Sequence, residues 1–117
     1  MLNGEQKLTM LTTIKIPQLD RLEKFYNSGF HSSFLDHALQ KILATQIARD
    51  ETDLHKLNVT LKEFEQQNKL STEDFFQLYQ KGQIPDTADM MEWNIAYKMK
   101  QRIITRIQVL CGIDANA

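Results

Sequence analysis

Few side chains in this sequence have chemistry beyond packing, and spacing decides what each can do. The histidines are His31, His37 and His55. No two of them stand three or four residues apart, the spacing that puts two zinc ligands on one helix face. Cys111 is the one cysteine, which excludes a disulfide within the chain. It has no evident base to activate it and reads as a small core or interface residue. Asp86, Asp89 and Glu92 recur every three residues on one helix face. That set could meet a basic partner, and capping with dipole stabilisation is its plainer explanation. A hard cation needs six or more oxygens, and no convergent set is offered. Glu63 and Glu65 fall on different helix faces. The glycines, at 4, 29, 82 and 112, are too scattered for a phosphate-cradling loop. The expectation is a protein that is not an enzyme and takes neither cofactor nor metal.

The elements that would carry any binding residues can be read from the pattern. Thr12, Ile14 and Ile16 alternate with Leu11, Thr13 and Lys15, which predicts a β-strand over residues 10–17 with two distinct faces. Pro17 ends that strand and suits the first turn of a helix. Leu19, Leu22, Phe25 and Tyr26 then recur at helical spacing, and Gly29 supplies a stop. Ser32 or Ser33 caps a second helix running to about Ile47, with Phe34, Leu35, Ala38, Leu39, Ile42 and Leu43 on its apolar stripe. Asp50-Glu51-Thr52-Asp53 reads as a polar break or a capped continuation. A third helix carries Leu54, Leu57, Leu61 and Phe64, with a joint at Asn68-Lys69. Ser71, three residues before Asp74, starts a fourth helix that Gly82 stops. After a loop containing Pro85, Asp86 or Asp89 caps a last helix reaching about Leu110.

Composition sets the outer bounds. The chain has 117 residues, 42% hydrophobic and 25% charged, with a net charge of -1. These are ordinary values for a globular chain, and disorder throughout is excluded. Residues 1–48 carry five Lys/Arg against four Asp/Glu, and residues 49–117 carry nine against eleven. A slightly basic head and an acidic tail have the sign expected of a nucleic-acid-binding head. No apolar run approaches the roughly 20 residues that cross a bilayer. No charged segment followed by an apolar one opens the chain, so a cytoplasmic location is expected.

A single short strand cannot stand alone and must pair. The economical partner is its own copy in a second chain, as an antiparallel ribbon across a twofold axis. Thr12-Thr13-Ile14-Lys15-Ile16-Pro17, the helix from Leu19 to Tyr26, Gly29, Ser32-Ser33 and Ala38-Leu39 together resemble the ribbon-helix-helix family of DNA-binding proteins. The resemblance implies a mainly α fold: a dimeric head over residues 10–48, a flexible lead over 1–9, and a helical arm over 49–117. It implies that Leu11, Thr13 and Lys15 face the bases of an operator in the major groove. Ser32 and Ser33 would hold a phosphate at a helix N-terminus, and His31 would add a positioning contact. The first helix is shorter than the family's usual one and the strand is poor in Arg and Lys. An all-α bundle with an extended N-terminal arm is the alternative.

Residues 60–110 are similar to a segment of small bacterial antitoxin-like proteins. The similarity lies in Phe64-Glu65, Ser71-Thr72-Glu73-Asp74-Phe75, Gly82, the loop from Asp86 to Asp89, and Glu92-Trp93 with Tyr97. It implies an antitoxin: a homodimer that represses its own operator and neutralises a toxin with its tail. The aromatic residues Phe75, Phe76, Tyr79, Trp93 and Tyr97 would form the partner-binding surface. Simple packing of two helices on each other accounts for the same five residues. A helical protein–protein adaptor with no DNA activity is the competing function.

Overall fold

The computed structural model describes residues 13–113. Among them are four helices, α1 (Pro17–Asn27), α2 (Ser33–Asn68), α3 (Thr72–Gln80) and α4 (Ala88–Leu110), and no strand. The chain divides into two compact units, Met1–His37 and Ala38–Ala117.

The strand expected over residues 10–17 is not formed by its described part. Residues 13–16 precede α1 as irregular chain, and Ile14 is 83% exposed. Ile16 does adopt extended backbone, φ -108 and ψ 111, as its β-branching favours. Extended backbone becomes a strand only when its N–H and C=O groups find a ladder, and no described segment offers an edge. Ile16 is instead the N-cap of α1, and its carbonyl accepts the Asp20 N–H at 3.0 Å. The described fold is all-α, and the ribbon-helix-helix architecture is overturned in favour of the bundle alternative. Leu11 and the lead over 1–9 lie outside the described residues.

In the first unit, Pro17 occupies the first turn of α1, where its missing N–H is no loss. Gly29, at φ +89, lets the chain turn back so that the Phe30 N–H reaches the Phe25 carbonyl at 3.3 Å. The same turn stacks Phe30 on Phe25 with ring centres 5.4 Å apart. The Tyr26 hydroxyl donates to Asp36 at 2.5 Å, tying α1 to the first turn of α2.

Helix α2 runs unbroken through residues 50–53, so of the polar break and the continuation that the sequence left open it is the continuation that forms. At 1.5 Å per residue its 36 residues extend about 54 Å. No Gly or Pro occurs between residues 30 and 81 to stop it. Within the polar run, the Thr52 hydroxyl donates back to the Ala48 carbonyl at 3.0 Å. Asp50 turns inward, where it is held by a residue from the other end of the chain.

The core of the second unit is built on Trp93. Its ring lies parallel to Phe75 at 3.9 Å between centres and to Phe64 at 5.6 Å. Leu61 and Ala96 complete the buried set. The indole N–H, which must be satisfied when buried, donates to the Thr72 hydroxyl at 3.0 Å. The Thr72 N–H in turn donates to Glu65 at 2.8 Å. Ser71 caps α3 by accepting the Asp74 N–H at 3.2 Å, as its spacing predicts. Thr87, rather than Asp86 or Asp89, caps α4 by accepting the Met90 N–H at 3.2 Å.

Candidate functional site

The register of α2 against α4 is set by two pairs. Phe64 stacks on Trp93 at one end, and Asp50 binds Arg106 nearer the other. Residue numbers therefore rise along α2 as they fall along α4, and the two helices run antiparallel. By that register Leu110, the last residue of α4, is level with Gln46. Residues 38–45 of α2 continue past the end of α4.

At this end the surface is hollowed rather than filled. A hollow of about 550 Å³ is lined by Ala38, Ile42, Leu43 and Leu110 together with Lys41, Thr45, Gln46 and Arg49. Gln46 and Leu110 also line an adjoining hollow of about 310 Å³ that continues onto Val109, Thr105 and Arg106. Thr105 and Arg106 lead on to a third, beside Gln101 and Arg102. Each hollow shares two lining residues with the next, and the series is treated as one shallow groove. Its aliphatic walls face water: Ile42 is 63% exposed and Val109 61%. Apolar side chains grouped in a hollow are where a partner could gain by burying them.

The charge along the groove is of one sign. Lys41, Arg49, Arg102 and Arg106 line it, and no Asp or Glu does. The sequence carries no carboxylate between Asp36 and Asp50, nor between Glu92 and Asp114. Asp50 sits behind the groove, its side chain only 4% exposed. It receives Arg106 Nε at 3.2 Å on one oxygen, and on the other a terminal guanidinium nitrogen of Arg106 at 3.1 Å and Gln46 Nε2 at 3.0 Å. The two-point pair with Asp50 fixes the Arg106 guanidinium, which stays largely in water.

The residues singled out from the sequence are placed differently. Phe75 and Trp93 are fully buried and spent on the core. Phe76 and Tyr97 pair with each other at 4.6 Å and are half-buried. Tyr79, also half-buried, packs on Phe75 and donates its hydroxyl to Asp86. That hydrogen bond, helped by desolvation and by the carboxylate's charge, raises the Tyr79 phenol above its usual pKa. Thr13 and Lys15 are exposed ahead of α1. His31 lies edge-on to Tyr26 with ring centres 6.5 Å apart. The Ser32 hydroxyl is used as the cap of α2, accepting the Leu35 N–H at 3.2 Å, and Ser33 is the first residue of that helix. Among the described residues no three His, Cys, Asp or Glu side chains converge on a common metal position. No helix among them is long and apolar enough to cross a membrane.

Sequence reasoning passed over the groove. The signal available to it was the long stretch without carboxylates in α4, with cations at 98, 100, 102 and 106. In comparisons with known proteins, no protein family, curated protein or solved structure matches the chain.

Proposed function

We propose that this protein is a helical adaptor that holds a protein partner in the groove between the N-terminal part of α2 in its second unit and the C-terminal part of α4. The observation that carries the reading is a set of aliphatic side chains, exposed Ile42 and Leu43 with half-buried Leu110 in a hollow of about 550 Å³ and exposed Val109 in the adjoining one of about 310 Å³. Burying such a set against a partner releases about 25 cal/mol for each Å² of apolar surface removed from water. A partner helix seated between two others is a recurrent mode of recognition, because apolar side chains at helical spacing fit the ridges and grooves of the pair. The operator-binding role attached to Leu11, Thr13 and Lys15 rested on a paired ribbon, and no other feature of the chain carries it.

The test is selection of binders from a displayed peptide library, followed by amide shift mapping on the whole protein. Binders should shift the amides of Ile42, Leu43, Arg49, Val109 and Leu110, and lose their hold on an Ile42→Ser, Val109→Ser variant. Binders that map elsewhere, or that ignore the double substitution, would show that the groove is not the docking surface.

A further inference from the structure

The groove's charge specifies its occupant, and this step rests on the adaptor reading above. We infer that the groove takes an acidic amphipathic helix: a partner segment with an apolar stripe on one face and Asp or Glu on both flanks.

Three observations converge. The floor is aliphatic, with Ile42, Leu43, Val109 and Leu110, so the occupant must present apolar side chains. The lining cations are Lys41 and Arg49 on α2 and Arg102 and Arg106 on α4, Arg106 being the one already paired with Asp50, with no carboxylate among the lining residues. An occupant with acidic flanks would find a cation on either side, and a basic one would be repelled from both. By the register of the two helices the groove runs from the level of Ala38 to that of Arg102, about 16 residues of α2. At 1.5 Å per residue this is about 24 Å, the length of a helix of four to five turns.

Other anionic occupants fit less well. Single-stranded nucleic acid is held by aromatic platforms, and the groove's floor is aliphatic. A bilayer surface engages one long apolar helix face, whereas these aliphatic residues are divided between two helices. A second copy pairing groove to groove would bring like charges together. Arg106 has a particular part: Asp50, itself steadied by Gln46, holds its guanidinium in place, so it loses little freedom when a second carboxylate reaches it.

The experiment uses the full chain and a fluorescein-labelled synthetic peptide of about 17 residues, with Leu at helical spacing and Glu on both flanks. Its counterpart carries Lys in place of every Glu. The Glu peptide should bind at least about tenfold more tightly than the Lys peptide, and the gap should shrink as salt screens the charges. Lys41→Glu, Arg49→Glu should lower affinity for the Glu peptide by about tenfold or more and raise it for the Lys peptide. Both positions are exposed, and Trp93 emission, reporting on the aromatic core, verifies that the variant is folded. Equal binding of both peptides, lost in Ile42→Ser, Val109→Ser, would overturn the acidic occupant and leave the adaptor reading standing. Binding of neither peptide, with sedimentation showing a dimer that the same Ser variant disrupts, would make a second copy the occupant. Binding only to vesicles of phosphatidylcholine and phosphatidylglycerol would make it a lipid surface. No binding to peptide, copy or vesicle would sink the adaptor reading too.

Discussion

Arg106→Leu puts a number on the buried carboxylate. The Asp50 side chain is 4% exposed and takes three donors, two of them from Arg106 and one from Gln46. Deleting the guanidinium leaves a buried negative charge with Gln46 alone. Breaking a fully buried pair in this way costs about 3–5 kcal/mol. Here the Arg106 side chain is 59% exposed, so water reaches the pair from one side, and screening lowers the expected cost to about 2–3 kcal/mol. Asp50→Leu is not the mirror image. The guanidinium left behind already faces water and rehydrates, while leucine fills the vacated space, so the cost is about 1 kcal/mol or less. The double variant should therefore resemble Asp50→Leu, with a coupling energy of about 2 kcal/mol. Urea unfolding near neutral pH, followed by the single tryptophan, measures all three. If Asp50→Leu is as damaging as Arg106→Leu, or if the two effects add to within about 0.5 kcal/mol, the pair is not a buried anion held by an exposed cation and the reasoning fails.

Three further outcomes follow from the same structure. Thr72→Val strands the buried indole N–H of Trp93 without an acceptor and should cost about 1–3 kcal/mol in urea unfolding, whereas a change within error would mean the hydrogen bond is dispensable. Lys69 ends α2 at φ +51, a conformation strained for any side chain, so Lys69→Gly should stabilise by about 0.5–1 kcal/mol and raise Tm, and a lowered Tm would refute it. The Tyr79 phenol is raised by its hydrogen bond to Asp86, so its stabilisation is complete below the unfolded phenol's pKa of about 10 and fades as pH climbs through the higher folded value. The stability gap between the native protein and Tyr79→Phe should accordingly hold level through mildly alkaline pH and close only above about pH 10, and a gap that closes earlier would contradict the assignment.

Helix boundaries were legible because the signals that set them are local. Pro17 suits a first turn, Ser71 stands at capping distance from Asp74, and Gly29 and Gly112 accept the left-handed backbone that turns a chain out of a helix. Each acts within a few residues, so each can be read without knowing the fold. Thr87 was missed as a cap because Asp86 and Asp89 beside it are equally good by type, and only backbone geometry chooses among them.

Everything that depends on a distant partner was left to the tertiary structure. Thr13 to Ile16 have strand-like side chains, yet a strand is a relation between two segments, and no described segment supplies the second. Asp50 reads as part of a polar break until Arg106, 56 residues later, draws it into the bundle and the helix runs on. Five aromatics looked alike in the sequence, and packing divided them: Phe75 and Trp93 vanished into the core while Phe76, Tyr79 and Tyr97 kept part of their surface. The groove is the extreme case. Nothing in the sequence links Lys41 and Arg49 to Arg102 and Arg106, and it is the antiparallel register of α2 and α4 that brings the four cations to adjoining hollows. The sequence marked those helix ends that carry a local signal, Pro17, Gly29 and Ser71, because torsion and capping are short-range, but it divided in two the helix that runs from Ser33 to Asn68. The tertiary structure alone decided which faces meet, because burial and charge act between residues that only the fold makes neighbours.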